Sequence, residues 1–192
     1  MRIECSLIIA ILSGCQTGVA QTAPKPDLAQ LLSNDTTRKA GVAAATASGN
    51  ERLSVLLSWT RKPPPSVNKY ELDIGLADVF GQMRAKEAIP FLIENISLNR
   101  WVGADPWMKT SKVIEERLPA VGALVRIGPD ASKALVRAYW GPMSAKDRAA
   151  AIFTVARIRA PEARDFLSQV MMQADFERSL VVRGLKELDQ GR

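Results

Sequence analysis

Side chains able to do covalent or metal chemistry are few in this sequence, and their positions restrict what they can do. Among 192 residues there is no histidine, and both cysteines, Cys5 and Cys15, fall within the first fifteen positions. Without imidazole, Ser-His-Asp and Cys-His catalysis, histidine metal sites and a histidine pH switch are excluded. Processing at or beyond Cys15 would also leave the mature chain without a thiol, removing disulfide, CxxC and thiolate-zinc chemistry. Carboxylates remain. Glu115 and Glu116 are neighbours, and adjacent helical residues point about 100° apart, so they do not converge. Asp73 and Asp78 diverge as well, and both pairs are expected to be surface acids opposite Lys and Arg. No GxGxxG, GxxxxGK or GxSxG motif occurs, and Gly128-Pro129-Asp130 reads as a turn. No catalytic, cofactor-binding or metal-ligating set is expected, so the chain is read as non-enzymatic and its function rests on surface shape.

The N-terminal residues carry a different chemistry. Arg2 precedes a short apolar run from Cys5 to Leu12, far below the roughly 20 residues a membrane-spanning helix needs. Leu12-Ser13-Gly14-Cys15 follows at once and resembles the bacterial lipobox. That resemblance implies cleavage before Cys15, with residues 1–14 as signal peptide and a diacylglycerol on the Cys15 sulfur. Such an anchor holds without spanning, at roughly 0.8 kcal/mol per buried methylene. Gln16 in the next position is what outer-membrane lipoproteins tend to show. A competing cleavage after Ala20, at Gly18-Val19-Ala20, suits ordinary signal peptidase. Either route places the bulk of the chain in a bacterial envelope, lipid-anchored facing the periplasm or released into it. Residues 15–34, with Thr, Gln, Ala and two prolines, read as a flexible tether.

The elements that must position any surface come from a repeat. Ala163, Phe166, Leu167, Val170 and Met171 are spaced as one face of an amphipathic helix. The same spacing recurs at Ala131, Ala134, Leu135, Ala138 and Tyr139, and at Ala88, Phe91, Leu92, Asn95 and Ile96, where Asn95 interrupts it. Leu53, Leu56 and Leu57, with Trp59 ending the helix, repeat it again. Each of these helices has a partner before it. Ala149, Ile152, Phe153 and Ala156 form one such face behind Ser144-Ala145-Lys146-Asp147, which has the form of a capping box. Leu72, Leu76, Val79, Phe80 and Met83 form another, and Leu118, Val121 and Val125 a third. Arg38, Arg148 and Arg178 recur at related positions. Pro129 and Pro161 suit first helical positions, whereas Pro90 and Pro119 predict a kink or a helix start. No segment alternates with period two, so the chain is expected to be all-α.

Paired helices repeated at about 30 residues make a solenoid, since one hairpin cannot bury its own face. The stretches AVGALVRIGPDASKALVRAY and ADVFGQMRAKEAIPFLIENI resemble HEAT repeats, particularly the short bacterial kind related to those of phycobilisome lyases. The resemblance implies a short right-handed α-solenoid over residues 35–192, with about four hairpins (about 35–60, 69–97, 111–141 and 144–173) and a C-terminal capping helix at 175–190. It also implies bilin attachment, which does not suit an exported chain. HEAT arrays mostly hold protein partners, and repeat architecture does not say which.

Departures from the period locate the candidate partner site. An excess of about eleven residues falls in 98–109, LNRWVGADPWMK, and carries Arg100, Trp101 and Trp107. Insertions in repeat arrays map to loops that often bind, and Trp and Arg are enriched among interface hot spots. Equally, both indoles could fold back and cover the seam between units two and three. Arg61-Lys62-Pro63-Pro64-Pro65 reads as a stiff connector, and Trp59 and Trp140 as core rim. The net charge of +6 is spread evenly, with residues 15–112 and 113–192 each at +3. Nucleic-acid binders concentrate Lys and Arg on one face, so no nucleic-acid partner is expected. The chain is read as a monomeric scaffold for an unknown protein partner, contacting membrane only through Cys15. The alternative is a small-ligand receptor or enzyme using a pocket on the concave face.

Overall fold

The computed structural model describes residues 27–101, 111–173 and 178–189. Residues 1–26, on which the expected signal peptide, the lipobox-like Cys15, the alternative cleavage after Ala20 and most of the expected tether fall, lie outside the described residues. So do residues 102–110 of the insertion with Trp107, and residues 174–177 at the start of the expected cap.

Eleven α-helices follow one another in the described chain: α1 (Leu28–Leu32), α2 (Arg38–Ala47), α3 (Leu53–Arg61), α4 (Lys69–Met83), α5 (Ile89–Glu94), α6 (Ser111–Arg117), α7 (Pro119–Ile127), α8 (Pro129–Tyr139), α9 (Ala145–Ile158), α10 (Ala163–Gln173) and α11 (Arg178–Asp189). Single 3-10 turns, Gly49–Arg52 and Lys86–Ala88, lead into α3 and α5. Among the described residues there is no strand, so the chain is all-α.

Local chemistry explains most of the boundaries. Asn68 caps α4 by accepting a hydrogen bond from the Glu71 amide. Ser144 and Asp147 close a full capping box on α9, each side chain accepting from the other's backbone amide at 3.2–3.3 Å, which satisfies two otherwise orphaned donors. Pro119 and Pro129 stand at the first positions of α7 and α8, and Pro90 follows the first residue of α5, so each marks a start rather than a mid-helix kink. Between α7 and α8, Gly128 holds φ 85°, ψ −139°, a region open essentially to glycine alone. The helix is therefore broken there at a single residue.

Helices α2, α4, α7, α9 and α11 contact one another in that order. Beside this row, α3 packs on α4, α5 on α7 and α8, α8 on α9, and α10 on α9 and α11. Helices with neighbours on several sides must be apolar nearly all round. Accordingly, Leu72 through Ala77, then Val79, Phe80 and Gly81, are buried in α4, and Ala149 through Ala156 in α9. Flanking α8 and α10 bury only one stripe, Ala131, Leu135 and Tyr139 in one and Ala163, Phe166, Leu167 and Val170 in the other. The stripe residues are those picked out by the sequence periodicity.

One segment departs from expectation. Residues 28–32, assigned to the flexible tether, form α1, with Ala29 and Leu32 fully buried. This helix packs on α2 and α4. Two glycines make its seat: a Cβ on Gly75 would stand 2.5 Å from the Leu32 carbonyl oxygen, and one on Gly41 would stand 2.9 Å from Leu31 Cβ. The tether reading is therefore corrected from residue 28 onward.

Candidate functional site

A groove runs along α2, α4, α6 and α7, beside the strap that follows α5. Its first part, about 460 Å³, is lined by Asp78, Arg100, Trp101, Lys112, Glu115 and Arg126, among others. A second part of about 340 Å³ continues toward Arg38 and Lys39 and shares Asp78, Arg100 and Arg126 with the first. The three shared residues stand at the junction.

Arg100 reaches this place from the strap that follows α5. Its Nη2 donates to both oxygens of Asp78 at 2.9 Å, its Nε donates to the Glu116 carbonyl at 3.1 Å, and its amide donates to the Arg117 carbonyl at 2.8 Å. The side chain expected to contact a partner is thus largely committed to holding the strap against α4 and α6. Next to it, Tyr70 Oη donates to the Asn99 carbonyl, and the Trp101 amide donates to Asn99 Oδ1 at 3.0 Å. These bonds fix the turn that presents Trp101.

Trp101 is 47% exposed. The Arg117 guanidinium lies over its ring, 5.1 Å from the centroid, a cation–π contact worth about 0.5–1 kcal/mol at an exposed site. The indole is therefore half exposed and backed on one face by Arg117. Trp107 lies outside the described residues. Trp140, expected at the core rim, is also 47% exposed, with its edge against Tyr139 and Phe166; Trp59 is partly buried against the core.

Ion pairs stitch neighbouring segments of the fold together, some of them beside the groove. Arg38 is 3% exposed and donates to Asp35, to Glu71 and to the Leu32 carbonyl. Arg157 of α9 pairs with Glu115 of α6 at 2.6 Å, Lys86 with Asp130 of α8 at 2.5 Å, and Arg164 of α10 with Asp189 of α11 at 2.5 Å. Glu115 is thus paired, whereas Glu116 makes no side-chain bond among the described residues. Their divergence follows from adjacency on α6.

Asp73, expected at the surface, is instead buried, at 5% exposure. Its Oδ2 meets Lys69 Nζ at 2.6 Å, while Oδ1 has no partner. Burial raises its pKa above the ordinary carboxylate value, and the Lys69 hydrogen bond and charge only partly oppose that. The correction has a plain cause: α4 is enclosed on most sides, so even its polar positions lose water. Lys86, bonded to Asp130, holds a raised pKa, and Asp130 a lowered one. None of these three groups lines the groove.

Sequence reasoning does not single out Arg126. It is the only charged residue in the nine-residue α7, and that isolation within an apolar helix is the available signal. Its Nη1 lies 3.1 Å from where a Cβ on Gly81 would stand, so the absent side chain lets the guanidinium lie across the α4–α7 seam. Among the described residues Arg126 has no hydrogen bond or ion pair.

No group of three or more His, Cys, Asp or Glu residues that could hold a metal ion occurs among the described residues. No described helix is long and apolar enough to cross a membrane. Compared with known protein families, curated proteins and solved structures, the chain has no match.

Proposed function

We propose that this chain is a non-catalytic envelope protein, a short right-handed α-solenoid of HEAT type, that holds a protein partner on the groove face beside Trp101. Lipidation at Cys15 would anchor it facing the periplasm, and cleavage after Ala20 would release it there. The order of helix packing, with each row helix touching the next and a second helix beside it, is consistent with stacked hairpins.

A single observation carries the interaction reading. Trp101 stands half exposed on a turn held by Arg100, Asn99 and Tyr70, at the mouth of a groove. The bonds that hold the strap to α4 and α6 also fix the indole where half of it meets water. A rigid aromatic already fixed in place loses little freedom on binding, which is what makes Trp an effective anchor.

The test is a crosslinked, detergent-solubilised capture from the native envelope with the full chain, comparing wild type with Trp101→Ala and Trp107→Ala separately. Circular dichroism of all three must match. Loss of one captured protein with Trp101→Ala, at a cost of about 2 kcal/mol in affinity, is the expected result. An identical set of captured proteins from wild type and Trp101→Ala would overturn the reading.

A further inference from the structure

Resting on that reading, we infer that the groove takes an extended acidic segment of the partner, with a carboxylate on Arg126 and an apolar side chain against Trp101. The argument starts from which charges are already spent. Arg38 is held by Asp35 and Glu71, Arg100 by Asp78, and Glu115 by Arg157. The Arg100–Asp78 and Arg157–Glu115 pairs cancel, whereas Arg38 faces two acids and leaves one negative charge over. What remains along the groove is Arg126 at its centre, Lys39 toward one end and Lys112 toward the other, three cations against Glu116 and the surplus acid beside Arg38. The residual field is positive although the walls carry both signs.

Arg126 has the geometry for the task. Its guanidinium offers five N–H donors in a planar fork that fits a carboxylate through two parallel bonds, and none of them has a partner among the described residues. Gly81 leaves the space in which it lies across α4. The groove spans both parts, about 460 and 340 Å³, with Arg126 in each. An elongated ligand could therefore touch Lys39, Arg126 and Lys112 in turn and still reach the Trp101 ring, which a compact anion could not.

The experiment uses the full chain and three probes: a synthetic octapeptide of alternating Glu and Phe, the same peptide with Lys for Glu, and citrate with inorganic phosphate. Titration is followed by isothermal calorimetry at low and high salt. The acidic peptide should bind and the Lys peptide should not, and affinity should fall as salt screens the contact. Arg126→Glu and Lys39→Glu should each weaken binding at least tenfold, with Arg126→Lys intermediate. Arg137→Glu, on the exposed side of α8 away from the groove, should bind as wild type does. Equal binding of both peptides, or binding unaltered by Arg126→Glu, would overturn the inference. So would citrate or phosphate binding as tightly as the peptide. Envelope capture separates the two levels: a partner lost with Trp101→Ala but retained with Arg126→Glu keeps the scaffold reading and removes the acidic segment.

Discussion

Arg38 at the start of α2 and Glu71 in the first turn of α4 meet at 2.5 Å across thirty-three residues of sequence. The same guanidinium reaches Asp35 and the last carbonyl of α1, at Leu32, so one side chain ties three segments together. Removing a partner from a fully buried ion pair commonly costs about 3–5 kcal/mol. Here Asp35 and Glu71 both reach water, with side-chain exposures of 84% and 38%, so neither would be stranded. Arg38→Ala is therefore expected to cost less, about 2 kcal/mol, mostly from the Leu32 carbonyl and the lost packing. Urea unfolding measures it; a loss under about 0.5 kcal/mol, the low end for a single hydrogen bond, would show that the three bonds contribute little.

A second expectation concerns the seat of α1. Gly75→Ala forces a methyl to within 2.5 Å of the Leu32 carbonyl, a backbone atom that cannot swing aside. Overpacking of this kind costs about 1–3 kcal/mol, and the simplest relief is for α1 to lift off. Hydrogen exchange should then show lost protection at the amides of Leu31 and Ser33, which donate to Asp27 and Ala29, while α9 keeps its protection. Uniform loss over the whole chain would contradict a local seat.

Asp73 makes stability depend on pH in an unusual direction. Its folded pKa is raised above 3.8, first by burial, with Lys69 only partly compensating. The fold thus favours the neutral acid, and ionised Asp73 opposes folding once pH exceeds the folded pKa. Asp73→Asn removes that penalty and loses a pair in which Lys69 is 55% exposed, worth at most about 1 kcal/mol. The variant should be more stable than wild type at pH 7. Its advantage should shrink as pH falls through the carboxylate range, where both side chains become neutral. Thermal melts from neutral pH down through that range decide the matter, and a less stable variant at pH 7 would show that the Lys69 pair outweighs burial.

These residues also separate what sequence alone carries from what only packing decides. The capping box at Ser144 and Asp147 is legible in sequence because its chemistry is complete within four residues. The stripes of α8 and α10 are legible because one neighbouring layer leaves a clean period. Helix α1 is not, since its seat is made by Gly41 and Gly75, whose meaning depends on a segment 10 and 43 residues away from them. Asp73 is misplaced by sequence reasoning because angle on a helix says nothing about how many helices surround it. The break in period points to Arg100 and Trp101 together, but their roles differ: Asp78 holds the first, and the second is presented. Arg126 shows no periodic anomaly, and its place across the α4–α7 contact depends on Gly81 facing it.

The division of labour between Arg100 and Trp101 yields the last expectation. If Arg100 positions the strap, its replacement should act on Trp101 through geometry. Arg100→Ala removes the two bonds to Asp78 and the one to the Glu116 carbonyl, charge-assisted contacts worth about 2 kcal/mol in a half-buried setting. The Arg100 amide, bonded to the Arg117 carbonyl at 2.8 Å, should then exchange at least tenfold faster. Arg100→Lys should not restore protection, because a single ammonium cannot reach a carboxylate and a carbonyl with the spread of a guanidinium. Asp78→Asn should reproduce the effect in part, since it leaves the Glu116 bond in place. A direct contact role would instead leave exchange in the strap unaltered by Arg100→Ala while still abolishing partner capture.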